Sequence, residues 1–434
     1  MRALLLILLA WLFLLNQGIL LNQKEEAGKA EETAENESET AENESETAPE
    51  TETYTEDAAG PENAEDAAPP QETTIRVLLR NQDEQSYYHQ SVQAVYQNME
   101  ITITPNSEEG EKGPLILSGQ EEGIQVTSLT RQQGHPTYQG NLEIYSTPSG
   151  ILLINELPLE TYLEAVVPSE MPSSYSKEAL KAQAVCARTY ALRQIRDHSL
   201  DAYGADVDDS VSYQVYGNLA PQESTSEAVR ETEGEILCQN GEPIPAYYFS
   251  TSSGMTSTDE IWGAEEAASY LKSVPCSFDS QEPWSSWQVS IPWQNIQDRC
   301  SSYGAQSGAF GSLKNLEIVR KSQSGTVTGL RVILEDGSFE ITGEYEIRDF
   351  LSPAGLDIIK KDGSISEGGN LLPSATFSLQ LISGSEIILT GGGYGHGVGM
   401  SQNGANHMAQ EGYTYQEILD YFFQNVELVR EGVS

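Results

Sequence analysis

Positive charge is what this chain has least of. Among 434 residues, 23 lysines and arginines stand against 66 aspartates and glutamates, a formal net charge of −43. Nucleic acid is held by neutralising its phosphates with lysine and arginine, so no nucleic-acid partner is expected. A neutral or cationic partner suits this charge better. Cysteine is scarce as well: Cys186, Cys238, Cys276 and Cys300 stand far apart, with no CxxC pair and no histidine pair at zinc spacing. They read as buried free thiols or at most one structural disulfide, for which Cys276 with Cys300 is the first choice. No GKS or GKT, no HExxH and no serine nucleophile elbow occurs, and the hydrolase classes built on those signatures lose weight accordingly.

An apolar run from residue 3 to residue 21 has the length of a membrane span, which takes roughly 20 residues. It is a signal peptide or an anchor. The run exceeds the roughly 7–15 residues of a signal-peptide core, and no small-x-small site follows before Asn22. An uncleaved anchor over 1–23 is therefore expected, with the bulk of the protein outside the cytoplasm because Arg2 precedes the span and an acidic segment follows it. From 24 to 72 the composition turns to Glu, Ala, Thr, Asn and Pro, with 18 acidic residues against two lysines and AENESET twice in tandem at 34–40 and 41–47. Few side chains there can anchor a core. The segment reads as a disordered acidic tether that repels itself.

Residues 73–434 carry the folded part. The β-branched and aromatic content of Thr74 to Leu79, Ile101 to Thr104 and Leu142 to Tyr145 predicts strands, and Ile151 to Leu153 after Pro148-Ser149-Gly150 predicts the second arm of a hairpin. Further strands are expected at Ala246 to Ser250, Leu316 to Val319, Gly329 to Leu334 and Ile387 to Thr390. A helix over Leu159 to Val167 should stop before Pro168. A longer one should follow Ser176, with Leu180, Ala184, Ala187, Ala191 and Ile195 at helical spacing. Two short helices should close the chain, one capped by Ser401 and ending at Gly412, the other opened by a Thr414–Glu417 capping box. The expected class is α+β, mainly antiparallel, in one large domain over 73–434 with 280–372 as a candidate inserted subdomain.

Near the C-terminus the chain reads GGGYGHGVGMSQNGA over 391–405, with glycine at 391, 393, 395, 397 and 399. If extended, it would present a strip of bare backbone flanked by Tyr394, His396 and Val398, open to close approach by something flat or bulky. No GxGxxG is completed, so a nucleotide fold is not the reading. Glu170, in AVVPSEMP, has apolar neighbours that disfavour its charged form and two prolines that fix its backbone, which suits a general acid; Glu160 and Glu164 are nearby rivals. On the next helical segment Lys181 and Arg188 lie two turns apart on one face, extended by Lys177, as a cationic strip that binds acidic sugar substituents or steadies a carboxylate, or is simply an exposed charged face. His396 either packs against a backbone group in a glycine-rich bend or binds a sugar hydroxyl. Gln214-Val215-Tyr216 and the run from Tyr247 through Ser250 to Gly254 add aromatic and amide groups of the kind carbohydrate clefts use.

Together these segments carry a resemblance. LPLETYLEAVVPSEMP (157–172), KEALKAQAVCARTYAL (177–192), YQVYG (213–217), FSTSSGMT (249–256), Ile261-Trp262-Gly263 and GGGYGHGVGMSQNGANHMAQEGYTYQEIL (391–419) resemble the stage II sporulation protein D family, related to the amidase-enhancer proteins. The likeness covers essentially all of 74–428, and an N-terminal anchor is similar to that family's layout. It implies a lytic transglycosylase acting on peptidoglycan glycan strands stripped of their stem peptides during engulfment of the forespore, from the mother-cell membrane. The family's catalytic glutamate falls on Glu170 and its cationic positions on Lys181 and Arg188. Gln214, Tyr216, Ser250, Tyr394, His396, Ser401 and Gln402 are then the expected substrate contacts, the glycine strip forming a wall of the cleft. The implied partners are the amidase that removes the peptides and the engulfment complex. Some members resemble a zinc-binding version; here 198–216 has His198 and no cysteine, so neither metal nor cofactor is expected. The alternative is a wall-binding protein that stimulates an amidase without cleaving glycan.

Overall fold

The computed structural model describes residues 72–431 apart from 84–85, 106–112, 120–121, 132–133, 211, 218, 305–306 and 383. The expected anchor over 1–23 and the tether up to residue 71 lie outside the described residues. Among the described residues no helix is long and apolar enough to cross a membrane.

The fold is α+β with mostly antiparallel sheets, as the sequence predicts. A first sheet orders the strands Leu115–Ser118, Asn141–Thr147, Gly150–Pro158, Thr74–Leu79 and Val207–Asp208, the last pairing in parallel. The hairpin expected around Pro148-Ser149-Gly150 is present, with Thr147 opposite Gly150. Along Thr74–Leu79 the two-residue period of a strand sends Ile75, Val77 and Leu79 into the main core and Leu78 into a small cluster on the other face. A four-stranded sheet from Met99–Ile103, Val92–Tyr96, Ile124–Val126 and Thr137–Tyr138 packs into the same main core.

Seven α-helices occur among the described residues: α1 (Leu159–Glu170), α2 (Lys177–Asp197), α3 (Glu223–Glu231), α4 (Trp293–Gly304), α5 (Glu344–Phe350), α6 (Gln402–Gln410) and α7 (Tyr415–Phe422). Helix α1 departs from expectation. It runs through Pro168 for a further turn, with Ser169 Oγ donating to the Ala165 carbonyl at 2.7 Å and the Met171 N–H to Val167 at 3.0 Å. Proline here forgoes the N–H that would donate to the Glu164 carbonyl, and the last turn persists because Val166, Val167, Pro168 and Ser169 are all buried in the fold. Pro172 then holds Met171 extended and stops the helix. The two C-terminal helices form as read: Ser401 accepts the Gly404 N–H, and Thr414 with Glu417 makes a capping box. Ser176 precedes α2 without capping it through its side chain.

A third core lies between Trp287 and Leu389. Its five-stranded sheet orders Ile365–Glu367, Asp357–Lys360, Trp287–Pro292, Glu386–Gly391 and Phe377–Ile382, and a second sheet joins Phe310–Lys321, Val327–Asp336 and Ser338–Thr342. The stretch 280–372 holds most of this core, and the strands from 377 to 391 complete its sheet. Cys276 sits in the second core with α2, α6 and α7 and Cys300 in the third; all four cysteines are buried and free, so the first-choice bridge between these two does not form.

The glycine run does not extend as a strand. Gly393, Gly395, Gly397 and Gly399 all have positive φ, between 81° and 110°, so the alternate positions are turns rather than one bare face. The surface they free is filled by the protein's own chain. A Cβ on Gly399 would stand 2.0 Å from the Tyr247 carbonyl oxygen, and one on Gly391 would stand 2.2 Å from the Trp287 ring. This close seating lets Tyr248–Phe249 pair in parallel with Met400–Ser401 and brings 247–254 beside 391–405.

Candidate active site

Glu170 ends α1 and is half-buried, with part of the residue exposed to solvent. Its Oε1 accepts the Val215 N–H at 2.8 Å, and its carboxyl also pairs with the Tyr248 hydroxyl. Burial dominates over these two hydrogen bonds and raises the carboxyl pKa to about 7. Glu170 therefore carries a proton over a good part of the neutral range. The fully buried Gln214 donates from Nε2 to the Ala187 carbonyl and to the Tyr248 hydroxyl oxygen, both at 3.2 Å, and its Oε1 receives the Tyr162 hydroxyl at 3.4 Å. Gln402 Nε2 reaches the Glu170 carbonyl at 3.0 Å and Gln183 Oε1 at 3.3 Å.

Beside this carboxyl lies an aromatic shelf. Trp262, 42% exposed, meets Tyr247 edge-on at 4.9 Å and the His396 ring at 5.2 Å, and His396 lies 5.9 Å from Phe249. Tyr190 links shelf and carboxyl: its ring is 6.2 Å from Tyr247, and Glu170 is among the negative groups that, behind burial, raise its pKa. His396 accepts the Val398 N–H on Nδ1 at 3.0 Å, and burial, with help from Arg348, lowers its pKa to about 3. It is a neutral ring with a packed, partly exposed face.

The site residues expected from sequence separate into two groups. Glu170, Gln214, Gln402 and His396 come together, with Ser250 close by: its carbonyl accepts the Asn403 N–H at 3.0 Å. The cationic strip does not join them. Arg188, 1% exposed, spends its five N–H donors inward, two on Glu160 at 2.6 and 2.7 Å and the others on Val229, Thr232 and Glu235. Lys181 pairs with Glu231 at 2.7 Å and Glu178 at 3.3 Å and stands over the Tyr415 ring. Both lie on the side of α2 that packs on α3; Gln183, Ala187 and Tyr190, spaced i, i+4, i+7, form the side nearer Glu170. Tyr216, 2% exposed, is a core residue bonded to Asn155 Oδ1 at 2.8 Å. Ser401 is buried on Asp279 at 2.6 Å, and Tyr394 is buried against Trp284 with ring centroids 4.6 Å apart. Arg188, Tyr216, Ser401 and Tyr394 are thus all buried and engaged in packing and internal hydrogen bonds.

Sequence reading passed over Tyr190 and Gln183, and gave no individual role to Tyr248 or Trp262. The i, i+4, i+7 spacing of 183, 187 and 190 was the available signal for the first two. Among the described residues no group of three or more His, Cys, Asp or Glu side chains is placed to hold a metal ion.

Comparison with known proteins points to one family. A family model described as stage II sporulation protein matches residues 147–238, which include Glu170, Gln183, Tyr190 and Gln214. The chain is 34% identical over 345 residues to stage II sporulation protein D of Bacillus subtilis (strain 168), covering 76% of this chain and 90% of that protein. It belongs to the stage II sporulation protein D family. A second member, from Bacillus amyloliquefaciens, is 31% identical over 291 residues, covering 63% of this chain and 75% of that one. The amidase enhancer of Bacillus subtilis (strain 168) is 30% identical over 295 residues, covering 61% of this chain and 40% of that longer protein. Membership places the protein in sporulation. A further model, a domain of unknown function, matches 264–399 and so takes in the third core and most of the glycine run.

Proposed function

We propose that this protein is a lytic transglycosylase that cleaves peptide-free peptidoglycan glycan strands between MurNAc and GlcNAc, leaving 1,6-anhydro-MurNAc ends during engulfment. The observation that carries the reading is Glu170: a half-buried carboxyl, held near pKa 7 by burial with no charged group among the causes, in the neighbourhood of a partly exposed aromatic shelf. In the proposed step Glu170 gives its proton to the glycosidic oxygen as the bond from that oxygen to C1 of MurNAc breaks. The C6 hydroxyl of the same sugar closes on C1, and its proton returns to Glu170. One carboxyl serves both transfers, and no attacking water has to be activated by a second one, unlike hydrolytic glycosidases. The Trp262–Tyr247–His396 shelf supplies apolar ring faces of the sort that pack against sugar rings.

The test is to incubate the purified full-length protein with peptide-free glycan strands and to look for 1,6-anhydro ends by mass spectrometry. Wild type should produce them and Glu170→Gln should not. Equal product from Glu170→Gln would remove Glu170 as the acid; no product from wild type would leave the second reading: a wall-binding protein that stimulates an N-acetylmuramoyl-L-alanine amidase, which the amidase-enhancer relative favours. Under either reading the partners are glycan strands, the amidase and the engulfment complex, and the protein acts outside the cytoplasm, anchored by residues 1–23 in the mother-cell membrane facing the forespore.

A further inference from the structure

The polar groups around Glu170 are all oriented, and the orientation can be read from one carbonyl. The Ala187 backbone oxygen only accepts, so the Gln214 amide must turn its NH2 toward it, at 3.2 Å. The same assignment puts Gln214 Oε1 where it receives the Tyr162 hydroxyl, at 3.4 Å. One N–H of Gln214 then remains, and it points at the Tyr248 hydroxyl oxygen, at 3.2 Å. With that oxygen accepting from Gln214, the proton of Tyr248 is directed to its other partner, the Glu170 carboxyl. The backbone N–H of Val215 donates to Oε1 of the same carboxyl at 2.8 Å.

We infer that Tyr248, oriented by Gln214, is a positioning residue that fixes both the proton affinity and the proton direction of Glu170. Its hydroxyl and the Val215 N–H are donors, so neither can take a proton from Glu170. The acid proton is left for an acceptor other than these two, reaching the carboxyl from the part of the residue that is exposed to solvent. The two donors also favour the ionised carboxylate, against the burial that favours the acid. The other titratable groups facing Glu170 are Tyr162 from α1 and Tyr190 from α2; burial raises the pKa of both, as it does that of Tyr248, so all three are neutral at physiological pH. Burial and these hydrogen bonds, without a neighbouring charge, therefore set the balance.

This inference rests on Glu170 being the acid of the proposed reaction, but its test needs no substrate. Full-length protein carrying 13C at the glutamate side-chain carboxyl would be titrated by NMR, the Glu170 signal being identified by its loss in Glu170→Gln. Tyr248→Phe, which removes one oxygen and keeps the ring, should raise the Glu170 pKa by about one unit. Gln214→Leu, which frees the tyrosine hydroxyl to turn, should raise it by less. A folded Tyr248→Phe whose Glu170 titrates as in wild type, or lower, overturns the inference, and the Gln214→Leu titration decides the matter if Tyr248→Phe does not fold. Should wild type make anhydro ends, the alkaline limb of its pH–rate profile should move upward in Tyr248→Phe by the same amount; should it make none, the proposed function fails and the titration still judges the relay.

Discussion

Gln402 donates from Nε2 to the backbone carbonyl of Glu170 at 3.0 Å, 232 residues away in the chain. The carbonyls of a helix's last turn have no intrahelical partner, and here the glycine-rich motif supplies one. The residue that ends α1 is thus held from two sides, by Val215 on its side chain and by Gln402 on its backbone. The 391–405 motif serves the site chiefly by seating α6, whose first residue is Gln402.

Ionising Glu170 should cost stability. Its folded pKa, about 7, lies above the ordinary value of 4.5, so the folded state binds the extra proton between those values. Stability contributed by that proton is present below about pH 4.5 and is lost as pH rises through 7. Glu170→Gln should therefore be more stable than wild type at pH 8, on the order of 2 kcal/mol after allowing for the partial exposure of Glu170, and nearly equal to it at pH 4. Urea titrations of both proteins at the two pH values measure this; a Glu170→Gln protein no more stable at pH 8 contradicts the burial argument.

Arg188→Ala should be among the most damaging single changes, by about 3 kcal/mol, because it empties a buried site and takes the guanidinium away from the part-buried Glu160 and from acceptors on Val229, Thr232 and Glu235. Arg188→Lys should recover little, since an ammonium cannot match the planar fork. Thermal melts of these variants, with Glu160→Gln to close a double-mutant cycle, give the coupling directly. A coupling near zero would mean that the buried pair is not what Arg188 contributes.

Trp262→Ala removes the most exposed ring of the shelf. Binding of peptide-free glycan should weaken about tenfold, equivalent to about 1.4 kcal/mol, with little change in melting temperature. Calorimetric titration with glycan oligomers on an uncleaving Glu170→Gln background separates binding from turnover. Unaltered affinity would take the shelf out of the cleft.

Gly399→Ala combines a positive φ with a backbone oxygen where the new methyl must go. A loss of about 3 kcal/mol or more is expected. Gly412→Ala is the control: it has a positive φ too, but nothing lies within 4 Å, so about 1 kcal/mol should suffice. Equal losses at the two positions would show that close approach to Tyr247 is not what the glycine permits.

The sequence made local features legible and left shared neighbourhoods hidden. Strands with β-branched residues, the capping box at Thr414 and the apolar setting of Glu170 are set by residues adjacent in the chain, and each is found where it was expected. Arg188 shows the opposite case. Its position on a helix face is local information, but whether that face meets solvent or α3 is decided by a segment some forty residues on. The glycine run misled for a related reason: alternation suggests a strand, whereas four positive φ angles depend on how closely 247–257 approaches. Pro168 predicts a stop because an interior proline removes a helix hydrogen bond, and the burial that holds the last turn regardless is not local information.

The third core also bears on how this family can vary. The chain enters the third core at Trp287 and leaves it at Gly391, and these two residues pair across neighbouring antiparallel strands. Departure and return are side by side, like the two ends of a cassette clipped to a frame. A relative with a shorter, longer or unrelated insert between those two strands would keep Glu170, Tyr248 and Gln402 in register, so the third core can diversify while the surroundings of Glu170 stay fixed.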